Sequence, residues 1–210
     1  MKFRILLSKT NDLKFLSHLE TVKLLERAFR RGNLPMIYSQ GYNPHPNISS
    51  ALPLSVGIES LYEVYEVDFE DFNFQEFIDN QQKYLPVGIH IFDIKISDDK
   101  DSLMSKVYYC TYRINFDNMK ESKVKLLDFL SQNEFLIEKE NKKGKINLVD
   151  IRSLVVDMRI EENYVVTTLM AGSKQNLNPT VLIESIFGKE FEEFDIIRLK
   201  ILNEKLEDLY

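Results

Sequence analysis

The sequence predicts an α+β protein made of two successive units of the order β-α-β-β-α-β. Three observations lead there. A capped amphipathic helix at 18–31 stands between strand-like runs. Segments 61–69 and 89–96 alternate polar and apolar residues with the period of two that marks a half-buried strand. Beyond a polar linker, Ser97-Asp98-Asp99-Lys100-Asp101-Ser102, the same succession returns in looser form.

The elements follow in order. Residues 2–8 predict the first strand. Ser17 followed by Glu20 is a capping box, and Leu19, Val22, Leu25, Ala28 and Phe29 recur at helical spacing. Gly32 is the expected left-handed stop, and Pro35 prevents continuation. Residues 36–39 are β-prone, 48–54 predict a strand, and 55–60, with Gly57, predict its turn. Asn73 caps a predicted helix over 74–84 that Pro86 closes. In the second unit a strand at 107–116 precedes a helix at 118–132. Strands are then expected near 134–140, 145–150 and 153–170, with Lys142-Lys143-Gly144 as a turn. Asn178-Pro179 reads as a cap and first-turn proline, Gly188 as a stop, and 194–202 as the last strand. The architecture expected is two tandem ferredoxin-like domains, 1–98 and 104–210, the second with more strand than it needs.

Composition narrows the function classes. A chain of 210 residues, 44% hydrophobic, can bury a core without disulfide staples. No apolar run reaches the roughly 18–20 residues of a membrane span, and no signal peptide is legible, so a cytoplasmic protein is expected. The single cysteine, Cys110, rules out an internal disulfide and a multi-cysteine metal site in this chain, and its alternation with Tyr108 and Tyr112 predicts burial. No phosphate-binding glycine loop or metalloprotease motif is present, and no metal ligands are expected. Net charge is −6, unevenly placed. Residues 1–59 hold eight Lys/Arg against four Asp/Glu, a net of +4, and the remainder nineteen against twenty-nine, a net of −10. A basic third in an acidic chain suits a confined anionic partner rather than a general nucleic-acid coat.

On a helical wheel Lys23, Arg27, Arg30 and Arg31 share the arc opposite the apolar one, where they can track phosphates; a solvated face reads the same way. His18, in the first turn, is the candidate acid–base group, or else a structural histidine. The loop from Tyr38 to Asn47 gathers Tyr38, Ser39, Gln40, Tyr42, Asn43 and His45 on a proline-stiffened segment, suited to contacting an unstacked base or a partner's backbone. The expected topology puts His18 near Gly57 and Glu59, and His45 near Arg31 and Gly32. A histidine dyad is therefore not expected, whereas the loop and the cations become neighbours. Asp150-Ile151-Arg152 reads as structural.

Four stretches together carry a family resemblance: Phe15 to Glu20, Arg27 to Arg31, Tyr38 to Pro46, and Ala51 to Ser60. They resemble the radical SAM-linked proteins, a bacterial domain of unknown function fused to a radical SAM protein or encoded beside one. Glu20 and Tyr42 replace the usual Asp and Phe and keep the charge and the ring. The resemblance implies a radical SAM partner that holds the iron–sulfur cluster and S-adenosylmethionine, neither being expected in this chain. A genomic setting beside ribonuclease E/G and ribosomal-protein genes points to RNA, tRNA or rRNA. The leading reading is a non-catalytic accessory module presenting RNA through Lys23, Arg27, Arg30, Arg31 and the 38–47 loop. The alternatives are a metal-independent RNA phosphodiesterase using His18, and a docking module that binds only protein.

Overall fold

The computed structural model describes residues 1–140 and 144–210. Its first strand, β1 (Lys2–Lys9), turns Phe3, Ile5 and Leu7 inward at alternate positions, as the pleat dictates. β2 (Ile48–Ser50), β3 (Glu59–Asp68) and β4 (Ile89–Ile96) complete the N-terminal strands. β1 lies antiparallel between β3 and β4, and β2 pairs with β3. Two helices, α1 (His18–Arg31) and α2 (Gln75–Asp79), pack Leu25, Ala28, Phe29 and Phe77 onto this sheet. Phe69 meets Phe3, Phe29 and Phe74 edge-to-face at 5.8, 5.6 and 5.1 Å, the arrangement ring quadrupoles favour.

The second half comprises β5 (Tyr109–Phe116), α3 (Met119–Ser131), β6 (Leu136–Glu140), β7 (Ile146–Asp150), β8 (Val155–Ile160), β9 (Tyr164–Met170), α4 (Pro179–Phe187) and β10 (Phe194–Leu202). Both halves share one eight-stranded sheet of order β4-β1-β3-β10-β5-β9-β8, with β2 against β3 off that path. Every pairing is antiparallel except β3 with β10, where Glu59 and Ser60 run parallel to Ile197 and Arg198. The fold is thus mixed α+β: a large, mostly antiparallel sheet with four helices. Among the described residues no helix is long and apolar enough to cross a membrane.

Several local expectations need correction. Residues 36–39 form only isolated bridges, Met36 to Phe69 and Tyr38 to Pro46. The strand expected over 48–54 stops at Ser50, because Ala51, Leu54 and Ile58 turn into the core of the other half. The helix expected over 74–84 lasts only from Gln75 to Asp79, followed by a 3-10 turn at 81–83. The long strand at 153–170 is the hairpin of β8 and β9. The surplus strands β6 and β7 pair only with each other, as a ribbon outside the main sheet. Lys142 and Lys143 of the predicted turn lie outside the described residues. Gly32 is not left-handed at φ −79°; Asn33, at φ 55°, carries that conformation.

The join between the halves is charged. Arg198 of β10 and Glu63 of β3, with side chains only 2% exposed, form an ion pair of 2.9 Å. The same guanidinium donates to the carbonyls of Leu52 (3.0 Å) and Pro53 (3.3 Å). The 51–58 segment therefore wraps the pair, and Ser55 accepts from Asn178, the cap of α4. Lys9 is buried nearby and donates to the Leu16 carbonyl at 2.6 Å. Burial lowers its pKa, and the Glu63 charge opposes that shift. At the sheet's outer edge, Gln81 gives its amide to the Ile91 carbonyl (2.9 Å) and takes the Ile91 N–H (2.6 Å).

Removing one partner of a buried pair strands the other charge, at a cost of about 3–5 kcal/mol. Glu63→Gln is therefore expected to lower the urea midpoint sharply, and Glu63→Leu with Arg198→Met to recover most of the loss. Cys110 is fully buried, and burial pushes its thiol pKa up. A thiol-reactive dye is expected to label Cys110 only after denaturation.

Candidate functional site: a cationic groove beside the first helix

Helix α1 begins as its sequence dictates. The Ser17 hydroxyl accepts the Glu20 N–H at 3.3 Å, and the Glu20 carboxylate takes the Ser17 N–H at 2.8 Å. Hydrogen bonding from Ser17, its hydroxyl first and then its N–H, lowers the Glu20 pKa, with Lys23 adding to the effect. Thr21, Leu25, Ala28 and Phe29 are buried, whereas Leu19 stays exposed in the first turn. With the apolar stripe fixed inward, a second stripe faces away from the sheet. Its side chains recur every three to four residues through Glu20, Lys23, Arg27 and Arg30, with Arg31 beside the last and Leu16 just ahead of the helix.

That stripe forms one wall of a groove of about 890 Å³. The opposite wall is the segment Lys83-Tyr84-Leu85-Pro86, which follows α2, and Leu24 adds apolar surface. Five cations thus line one groove with a single carboxylate, Glu20, already committed to the cap. Arg31 donates to the Tyr84 carbonyl, so it ties the two walls together without losing its charge. Arg30 is held in its charged form by the Tyr38 hydroxyl and by Glu26, with which it pairs at 2.6 Å. Arg27 and Lys83 form no ion pair among the described residues.

The four cations singled out in the sequence are together in this groove. Met36 bridges to Phe69, whose ring packs on Phe29 of α1, and so pins the base of the 38–47 loop near the end of the helix. Ser39 and His45 hold that loop internally: the Ser39 N–H donates to the His45 carbonyl (2.8 Å), and the His45 N–H to the Ser39 hydroxyl (3.1 Å). Gln40, Tyr42 and Asn43 stand exposed at its tip, Tyr42 completely so, where Gly41 takes φ +139°. His18 does not line the groove. The turn before it meets the segment His18 was expected to approach: the Asn11 N–H donates to Glu59 (3.0 Å) and the Gly57 N–H to the Lys14 carbonyl (2.9 Å).

Sequence reasoning missed Lys83 and the apolar wall. They lie more than fifty residues from Arg30, and only the crossover that sets α2 beside α1 brings them together. The available signal was a cation and an aromatic, Lys83-Tyr84, just ahead of Leu85-Pro86 at the end of a predicted helix. Asp150 is structural: its carboxylate accepts the amides of Phe135, Arg152 and Ser153, with the first of these bonds contributing most to its lowered pKa. No group of three or more His, Cys, Asp or Glu suited to a metal lies among the described residues.

Fold and groove together define an α+β protein with a preformed cationic groove beside its first helix. The family described as "Uncharacterized protein conserved in bacteria (DUF2344)" matches residues 2–179, and the chain belongs to it. No curated protein matches the sequence. Among solved structures, the chain is similar to one in the "Crystal Structure of a Cbf5-Nop10-Gar1 Complex", at 11% identity and a TM-score of 0.45. The match covers 95% of this chain and 48% of that one, so the chain spans about half its length.

Gly32 fixes the groove's geometry from behind. A Cβ there would lie 2.5 Å from two ring carbons of Phe77, and Phe77 stacks on Tyr84 of the far wall at 5.3 Å. Overpacking of this kind costs about 1–3 kcal/mol. Gly32→Ala is expected to show that loss in urea unfolding, and Gly32→Ala with Phe77→Leu to regain part of it.

Proposed function

We propose that this chain is a non-catalytic accessory module that binds RNA in the groove beside α1 and presents it to a radical SAM enzyme. One observation carries the reading: Lys23, Arg27, Arg30, Arg31 and Lys83 converge on one groove in a chain of net charge −6. A general electrostatic coat would spread its cations, whereas a binding site gathers them. The 38–47 loop, its base pinned near the end of α1, adds exposed hydrogen-bonding groups and a ring. The radical SAM partner follows from the resemblance of residues 15–60, and on this reading the cluster and S-adenosylmethionine belong to that partner. Cleavage by His18 is not favoured, since the cations that would stabilise a charged phosphate intermediate line a groove His18 does not share.

We also read each half as a ferredoxin-like unit. The order β4-β1-β3-β2 in the first and β10-β5-β9-β8 in the second supports this, each being the fourth, first, third and second strand of its half once the separate β6–β7 ribbon is set aside.

The test is a titration of labelled total tRNA and a ribosomal RNA fragment at two salt concentrations. Binding is expected to weaken as salt rises, and Arg27→Ala with Lys83→Ala to reduce both affinity and salt slope. Unchanged binding in that double variant overturns the groove as the site. Co-purification with the radical SAM protein that survives nuclease, together with no RNA binding at low salt, replaces the reading with protein docking.

A further inference from the structure

We infer that the groove takes an unpaired stretch of RNA, about three nucleotides long, with one base stacked on Tyr42; this rests on the RNA-binding reading above. The argument starts from spacing. Lys23, Arg27 and Arg31 are successive four-residue steps on α1, so they stand about 6 Å apart along its axis at 1.5 Å per residue. That row places one cation per phosphate along a single strand laid parallel to the helix. Lys83 faces the row from the other wall.

The walls then choose between paired and unpaired RNA. Beside the cations the groove offers Leu24, Tyr84, Leu85 and Pro86. A duplex keeps its bases inside and presents only sugar and phosphate to such a surface. A single strand turns its base faces outward and can bury them there while its phosphates meet the arginines. The loop supplies the second observation. Tyr42 is fully exposed although it is a large aromatic, and it sits four residues beyond Tyr38, on a loop whose base is pinned near the end of α1: Met36 bridges to Phe69, whose ring packs on Phe29 at 5.6 Å. Four residues span at most about 14 Å of extended chain, so the ring lies within reach of the strand's end. The Ser39–His45 bonds and the prolines at 44 and 46 hold the loop before any ligand arrives.

The experiment uses the full chain and a fluorescein-labelled twelve-residue RNA of unstructured sequence, alone and annealed to its complement. The single strand is expected to bind at least about tenfold tighter than the duplex. Tyr42→Ala is expected to weaken single-strand binding about tenfold, the order of one lost stacked base, with an unchanged salt slope. Tyr42→Phe keeps the ring and is expected to restore affinity. Arg27→Ala is expected to flatten the slope by about 0.7, the increment for one phosphate on a single strand. Equal affinity for duplex and single strand, or full affinity in Tyr42→Ala, overturns this inference while leaving RNA binding in place. No binding of either RNA at low salt, or equal competition by poly-glutamate, overturns the RNA reading itself.

Discussion

The ion pair between Arg198 and Glu63 is the constraint on which the rest of the molecule depends. Two nearly inaccessible charges cannot hold in a protein interior unless each keeps its partner and its hydrogen bonds. Here the partners come from opposite halves of the chain, 135 residues apart. The carbonyls of Leu52 and Pro53 accept from the two terminal nitrogens of the guanidinium, which fixes the 51–58 segment over the join. That segment in turn places Ala51, Leu54 and Ile58 in the second half's core. One buried interaction thus holds a parallel strand contact of only two residue pairs inside an otherwise antiparallel sheet.

The groove is a downstream consequence of the same arrangement. Lys9, which feels both Glu63 and Arg198, holds the Leu16 carbonyl and so sets where the chain enters α1. The capping box then fixes the first turn, and the buried stripe fixes the rotation. Once those three are set, Lys23, Arg27 and Arg31 have only one direction in which to point. The opposite wall is set by Phe77, which packs on Phe29 and stacks on Tyr84. The groove's cationic wall therefore rests on a capped, packed helix rather than on loop conformation.

What was legible in the sequence was local. Ser17 and Glu20 announce the start of α1 because both halves of the cap lie within one turn. Asn178 and Pro179 do the same for α4. Residues 51–54 suit a strand by their apolar side chains, and no local pattern says that the Pro53 carbonyl serves an arginine 145 residues away. Gly32 was given the wrong role for a similar reason: a glycine after a helix ordinarily supplies the left-handed turn, but here Asn33 supplies it and Gly32 makes room for a ring. Lys83 was invisible as a site residue because only the crossover brings it to α1. The sequence marked the four α1 cations because they share one helix, and the loop because its composition is unusual.

Gln81 has a consequence beyond its own position. β4 is an outer strand, and such strands ordinarily offer a ladder of free amide and carbonyl groups to any extended chain that drifts past. The Gln81 carboxamide occupies both groups of Ile91, in the middle of that ladder. A visiting strand meets a rung already taken, so this edge resists recruitment into stacked or fibrous assemblies. The side chain that closes the edge stands two residues before Lys83, so protection against self-association and the presentation of a cation are written into the same turn of chain.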